Sequence, residues 1–340
     1  MRARPTRGPE VRLFVLLNRS DDLVPTQTTA MLVEEASRRG HEVWLGGVTS
    51  LGLNPDGGVS AQALMVPPAD QRGHVCDWLK SPQRGGPQAL DASACEAWLI
   101  RTNPGRDAAH RADHASALEL ARLARDRGVV VLNDPTGLSR ARSKLYLGRL
   151  PAEVRPLTLV SRDRAAIRAF IAARAPDPAV IKPVEGSRGT DVFRVTAEDP
   201  NLNALIDVIA REGYVMVQEF LPEAAEGDTR VVLLDGEPLV IDGELCAIRR
   251  VPAVGDFRSN LHTGGRAERA PLTPEIARIA KLCGPALQGD GLWLVGLDLI
   301  GGRVIEANVY ATGGFRDAER FTGKGFIAAV IEALEAKVAS

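Results

Sequence analysis

The 340-residue chain has almost no excess of either charge: 42 Lys and Arg stand against 43 Asp and Glu, a formal net charge of -1. It therefore has no electrostatic reason to seek nucleic acid or an anionic membrane, and the partners expected are small molecules or further copies of the chain in a homo-oligomer. Cysteine is scarce. Cys76, Cys95, Cys246 and Cys283 form no C-x-x-C pair, which excludes a zinc ribbon and a dithiol motif and fits a reduced, cytoplasmic chain. Long apolar runs are missing too. After the basic MRARPTRGPE, the stretch from Val11 to Leu17 is interrupted by Arg12 and is too short to span a membrane, so it reads as a first strand. Internal repeats and low-complexity tracts are absent, and the length suggests two or three domains.

What the chain does have is alternation. VRLFVLLN reads as a strand, and Gln27 to Arg39 as a helix, because Ala30, Leu32, Val33 and Ala36 recur at helical spacing before Gly40. HEVWLGG follows as a second strand. Residues 50–92, rich in Gly, Pro and Asp, predict no more than short strands and loops. EAWLIRTNP, a helix over 108–127 and the strand GVVVLND restore the pattern. That order predicts an α/β fold with a mainly parallel sheet and a ligand at its strand ends. Beyond Asn133-Asp134-Pro135 the expected elements are a helix over 139–149, the strand LTLVS, a helix over 162–173, and the strands AVIKPV and DVFRV joined by the glycine-bearing EGSRGT. A helix over 202–212, the strand YVMVQEF and a hairpin TRVVLLDGEPLV follow. A helix over 274–288 and another over 325–337 enclose a second hairpin.

That second hairpin, VGLDLIGGRVIEANV, carries acids inside apolar strands. If its connection is two residues, Ile300 pairs with Arg303 and Asp298 faces away from Glu306, since side chains alternate. A three-residue or bulged connection sets Asp298 opposite Glu306, where two carboxylates repel unless neutralised. With Asn308 on the same face the cluster then offers only hard oxygen ligands, the set magnesium prefers when shared with phosphates. A salt bridge to arginine is the competing explanation.

The other candidates are scattered. EGSRGT is neither a P-loop nor a Rossmann fingerprint, though its glycines could lay N–H groups over phosphates. Lys182 sits in an apolar strand, where a charge needs a phosphate or an acid as partner. Lys144 suits a solvated helix face as well as a ligand. Arg249 and Arg250, near Arg258, Asn260 and Arg266, form a cluster able to bind carboxylate or phosphate bidentately. His110 and His114 stand four apart, but Arg111 occupies the place where a metalloprotease needs Glu, so a solvated face is expected. Cys246 reads as a small core residue.

Taken in order, Lys144, Lys182 in IKP, EGSRGTDVFRV, QEFL, GDTRVVLLDGEP, RRVP, NLHTGGRAE, VGLDLIGG and IEANV resemble the bacterial glutathione synthetases of the ATP-grasp superfamily. The likeness runs from about Val11 to about Lys337, and ASRRGHEVWLG and LIRTNP match the family's first domain. It implies an N-terminal parallel-sheet α/β domain over 1–134, a small or lid subdomain over 135–216 and a large subdomain with the metal site over 217–340, the last two clasping ATP between antiparallel sheets. It places Lys144 and Lys182 on the phosphates, with Gly186, Ser187 and Gly189 in the lid. Gln218, Glu219, Phe220 and Leu221 would form the adenine edge, Glu219 through its side chain. Asp298, Glu306 and Asn308 would hold magnesium, as two ions, and Asp228, Arg230, Arg250 and Asn260 would surround the phosphates and the reacting carboxylate.

The resemblance further implies a ligase. ATP phosphorylates a carboxylate to an acyl phosphate, which an amine displaces while a lid excludes water. In the family the acid is γ-glutamylcysteine and the amine glycine. Two local departures stand out: Tyr310-Ala311-Thr312-Gly313-Gly314 replaces a common Thr-Ser-Pro continuation near the acceptor amine, and Arg188 replaces a small residue in the lid.

Overall fold

The computed structural model describes residues 10–186, 190–211, 213–253 and 265–340. Ser187, Gly189 and Asn260 lie outside the described residues, as do Arg188 and Arg258.

The first layer is built from β1 (Arg12–Leu17), α1 (Thr28–Arg39), β2 (Glu42–Leu53), β3 (Val59–Val66), α2 (Val75–Lys80), β4 (Gln88–Asp91), β5 (Ala97–Ile100), α3 (Arg111–Asp126) and β6 (Val130–Leu132). Its sheet runs β4-β3-β2-β1-β5-β6. The pairs β1–β2, β1–β5 and β5–β6 are parallel, as expected of buried apolar strands joined through helices. Residues 50–92 add what composition hid. β2 continues to Leu53 and returns as β3 through Asn54 to Gly58, whose Gly, Pro and Asp are hairpin chemistry: Asn54 N–H donates to Gly58 O at 2.8 Å, and Gly57 has φ +78. The sheet is thus mixed, with an antiparallel wing. Order reverses at β1 and β5, which makes their carboxyl ends a topological switch point.

The following segment corrects another expectation. In place of one helix over 139–149 there are α4 (Pro135–Arg140) and a separate 3-10 turn, Lys144–Arg149. The start signal was earlier in the sequence: Asp134 caps α4 by accepting the Thr136 and Gly137 N–H groups, with Pro135 in its first turn.

The second sheet contains β7 (Thr158–Ser161), β8 (Ala179–Pro183), β9 (Phe193–Val195) and β10 (Val215–Glu219), ordered β7-β10-β8-β9 and antiparallel. α5 (Arg164–Ala172) and α6 (Leu202–Arg211) cover one face, where Ile167, Ile171, Ile181, Ile206, Ile209, Val215 and Val217 form a core of their own. Alternation then sends Lys182, Met216 and Gln218 to the opposite face. A boundary at 216/217 would fall inside β10, which pairs on both sides within this sheet.

The third sheet holds β11 (Asp228–Leu234) with the short β12 (Glu237–Pro238), then β15 (Ala247–Val251), β16 (Arg266–Arg269), β17 (Leu294–Ile300) and β18 (Arg303–Asn308); the small pair β13 (Val240–Ile241) and β14 (Glu244–Leu245) lies beside it. α7 (Pro274–Gly289) packs Ile279, Ala280, Cys283 and Leu287 into the core that holds Val231, Leu297 and Leu299. The chain ends in α8 (Phe315–Thr322), which composition had not signalled, and α9 (Phe326–Ala339). α9 lies on α1, where Glu335 accepts Arg39 Nη2 at 2.7 Å and meets His41 Nε2 at 2.8 Å.

Candidate active site

The β17–β18 hairpin has both features that sequence left as alternatives. Its turn is tight: Ile300 pairs with Arg303, and Gly301 and Gly302 take φ +50 and +72, the left-handed backbone that a two-residue primed turn requires. A bulge follows within the strand, because Leu299 pairs with Val304 and Asp298 with Glu306, so one extra residue is inserted in β18. The acids therefore face one another, as the bulged alternative required.

Register collects the rest. Arg230 pairs with Asp298, Asp228 with Arg250 and Gly296 with Asn308, so Asp228, Arg230, Arg250, Asp298, Glu306 and Asn308 share the face turned away from α7. Asp298 is 2% exposed and fully engaged. It accepts from Arg230 Nε and, at 2.8 Å, Arg230 Nη2, from Arg250 Nη2 at 2.9 Å and from Asn308 Nδ2 at 3.2 Å. Arg250 is held flat by Asp228, with both nitrogens at 2.6 Å from the carboxylate oxygens. Burial alone would push the Asp298 carboxyl up, but the Arg230 and Arg250 guanidiniums outweigh it and bring it down to about 2. The salt-bridge explanation for the acids thus holds for Asp298 in this state. Glu306 differs: among the described residues its carboxylate makes no hydrogen bond or ion pair.

Lys182 is 7% exposed, and its ammonium likewise has no hydrogen bond or ion pair among the described residues. Burial first, then the charge of Lys144, depress it to about 8, with Glu306 opposing. Lys144 reaches the same region from the 3-10 turn, its Nζ on Gly186 O at 3.0 Å and its N–H on Val184 O at 2.9 Å. Among the described residues four cations thus stand against three acids, and two of the cations are lysines with no carboxylate in hydrogen-bond or ion-pair contact, an arrangement that suits a polyanion. The donor set also fits a hard divalent cation. Glu306 offers unpaired carboxylate oxygens, Asn308 donates through Nδ2 and leaves Oδ1 outside any hydrogen bond among the described residues, and no sulfur or imidazole intrudes.

Gln218 is buried, its Nε2 donating to Thr158 Oγ1 at 3.0 Å. The Glu219 carboxylate accepts Leu157 N–H at 2.9 Å while Glu219 N–H donates to Leu157 O at 3.0 Å, a reciprocal clasp that aligns β7 with β10. Phe220 N–H donates to Pro178 O at 3.3 Å, its ring lies 4.5 Å from the Arg194 guanidinium, and Leu221 opens the 3-10 turn Pro222–Glu226. This segment carries the chain from the second sheet to the third.

Arg101 was missed as a site residue. It follows β5 at the switch point, is 5% exposed, and donates to Thr29 Oγ1 at 3.1 Å, Thr312 O at 2.8 Å and Tyr310 O at 3.5 Å. Burial brings its guanidinium down to about 10. The signal was available: an arginine directly after a four-residue buried strand. It pins the YATGG loop over the polar face, and Tyr310 Oη adds a bond to Leu138 O at 3.0 Å. A Cβ placed on Gly296 would meet Thr312 Oγ1 at 2.1 Å and Arg230 Cδ at 2.8 Å. Gly296→Ala should therefore displace Arg230, costing about 1–3 kcal/mol of stability and more than about tenfold in turnover, read by thermal unfolding and ADP release. His110 and His114 both meet Asp107, at 2.7 and 3.1 Å; His114 is buried and His110 only partly exposed, so the solvated face expected of the pair holds for His110 alone and in part.

Comparison with known proteins agrees with this geometry. Residues 11–139 match the family described as prokaryotic glutathione synthetase, N-terminal domain, and residues 143–323 its ATP-grasp domain. The chain is 34% identical over 337 residues to the glutathione synthetase of Synechococcus elongatus, covering 96% of this chain and 99% of that protein. With the glutathione synthetase of Vibrio cholerae it is 32% identical over 311 residues, covering 91% and 92%. Among solved structures, the ATP-grasp ligase PsnB superposes with a TM-score of 0.65 at 20% identity, covering 98% of this chain and 100% of that one. The D-cycloserine synthetase DcsG gives 0.63 at 20% identity, covering 96% and 99%. At that identity these two speak for the fold alone, which is ATP-grasp. Likeness in sequence across nearly the whole chain, joined to that fold, makes this protein a member of the prokaryotic glutathione synthetase family.

Proposed function

We propose that this protein is an ATP- and magnesium-dependent ligase that joins the cysteine carboxylate of γ-glutamylcysteine to the amine of glycine, giving glutathione, ADP and phosphate. The observation that carries the reading is the pairing of an oxygen-only donor set, Asp298, Glu306 and Asn308, with a buried lysine, Lys182, that makes no ion pair among the described residues. In this reading Lys182 and Lys144 meet the phosphates of ATP, the loop that begins at Gly186 closes over them with Ser187 and Gly189, and the segment from Gln218 to Leu221 borders the adenine through its backbone.

Asp298, Glu306 and Asn308 would hold magnesium, two ions being inferred from the family pattern; when bound, it neutralises charge on the transferring phosphoryl group. Arg230 and Arg250 then turn from Asp298 toward substrate, Asp228 keeping the Arg250 fork in plane, with Asn260 expected beside them. The γ-phosphoryl group passes to the substrate carboxylate, forming a new P–O bond as the bond to ADP breaks. The glycine nitrogen attacks the acyl carbon, phosphate leaves with the C–O bond pair, and the nitrogen gives up its proton. Water must be kept out until then, since it would consume the acyl phosphate.

Among the described residues no helix is long and apolar enough to cross a membrane. We infer a cytoplasmic homo-oligomer acting on small molecules, with three parts near 1–134, 135–219 and 220–340, the second boundary moved past β10 so that the second sheet stays whole. Purified protein should release ADP and phosphate only with ATP, magnesium, γ-glutamylcysteine and glycine together. Turnover that persists unchanged without glycine, or with other amines in its place, would reject glycine as the acceptor; the ligase class would stand. The YATGG loop, pinned over the polar face, is where such a difference would arise.

A further inference from the structure

Asp290, the residue that ends α7, is 4% exposed, yet it is bound from all sides. It accepts from Arg140 Nη1 at 2.6 Å, Arg149 Nε at 2.8 Å, Arg149 Nη2 at 3.0 Å and Tyr146 Oη at 3.0 Å. Burial would raise its carboxyl, but the hydrogen bonds from Arg140, Arg149 and Tyr146 hold it below its ordinary value. Burial and the charge of Asp290 push the Tyr146 phenol up, so it remains a donor.

These donors flank Lys144, with Arg140 before it and Tyr146 and Arg149 after. The main chain is joined at the same corner: Asp134 N–H donates to Gly291 O at 2.9 Å, and a Cβ on Gly137 would lie 1.9 Å from Asp290 O. At its other end the turn meets the second sheet through Lys144, by its N–H on Val184 O and its ammonium on Gly186 O. A short 3-10 helix has poor internal hydrogen-bond geometry and does not hold its shape unaided. This one is a strut between the second and third sheets, packed into the core through Tyr146 and Leu147 and tied by its polar groups to one buried carboxylate.

We propose that Asp290 is a positioning residue for Lys144, fixing the turn so that the lysine ammonium stands beside Lys182 where phosphate enters. The proposal rests on the reading that Lys144 meets the phosphates of ATP. Asp290 touches no substrate and acts through the turn.

Asp290→Asn keeps the size and removes the charge. It should raise KM for ATP about tenfold, the effect of weakening one charged hydrogen-bond set, while kcat and the KM values of the other two substrates move less than about twofold. Tyr146→Phe should give a smaller rise in the same constant. On a Lys144→Ala background, which itself raises KM for ATP, adding Asp290→Asn should change that constant no further. A lowered Tm with unchanged KM for ATP, or a uniform loss in kcat, would reduce Asp290 to a structural residue. If Lys144→Ala leaves KM for ATP unchanged, the phosphate role of Lys144 fails and the proposal with it; if Lys144→Ala raises it and Asp290→Asn does not, only the strut is rejected. Should Asp290→Asn fail to fold, Tyr146→Phe and Arg149→Gln carry the same prediction and the same two ways of losing it.

Discussion

Glu306→Gln should abolish turnover, on the order of a thousandfold or more, while leaving the thermal transition where it was. The separation follows from geometry. Among the described residues Glu306 has no hydrogen bond or ion pair to lose, and its charge acts only at a distance on Lys182. Asp298 is different. Asp298→Asn removes the anion that two buried guanidiniums share, and breaking such a set costs about 3–5 kcal/mol. That variant should lose both activity and stability, so Glu306→Gln is the cleaner probe of the cation. The same pair gives a pH prediction. The Asp298 carboxyl lies near 2 in the folded chain, below its ordinary 3.8, so its contribution is complete above about pH 4 and is lost as pH falls toward 2. Asp298→Asn should remove that part of the acid-unfolding slope. Unchanged turnover in Glu306→Gln would sink the metal role.

Lys182→Met should make the protein more stable and worse at its task. A buried ammonium with no described partner weakens the fold, and an apolar side chain of similar length relieves it. Affinity for ATP should meanwhile fall by about ten- to a hundredfold, the worth of a charged hydrogen bond to phosphate. The sign with pH is fixed by the depressed value near 8 against an ordinary 10.5. Between those values the unfolded chain holds more protons than the folded one, so wild-type stability rises with pH across that window. ATP binding needs the ammonium, so its dissociation constant should climb by roughly five- to tenfold from pH 7.5 to 9. In Lys182→Met both trends should flatten. Calorimetric titration with ATP across that range decides it: a flat wild-type profile would mean that Lys182 does not meet the nucleotide.

Lys182 shows what sequence makes legible. A charge inside AVIKPV must find a counter-charge, and period-two alternation sends it to the face opposite Ile181 whatever the fold. The acids of β17 and β18 were half legible: apolar alternation located the strands, but one inserted residue decides whether Asp298 and Glu306 meet, and turn chemistry does not report a bulge placed beyond it. The partner of Arg250 was less accessible still. Asp228 lies 22 positions away, and only the β11–β15 register joins them. Asp290 left no trace, because its donors come from a segment about 150 residues earlier. The β2–β3 hairpin was legible only as short strands and loops for the opposite reason, its turn residues being abundant enough to hide where the strands begin and end.

The seating of α9 on α1 has a mechanical consequence. Each of the two larger cores mixes residues from the first sheet and the third, such as Trp98 with Leu297 and Leu13 with Leu294, whereas the second sheet keeps its own. The chain's last helix thus acts as a ligament that closes the first and third layers into one rigid chassis. The smaller lobe hangs from that chassis by two ropes of backbone, one through 155–157, just past a turn whose Tyr146, Leu147, Leu150 and Val154 belong to the chassis core, and one through 220–227. A hinge between the second sheet and the chassis would therefore bend in those ropes and not in the chassis.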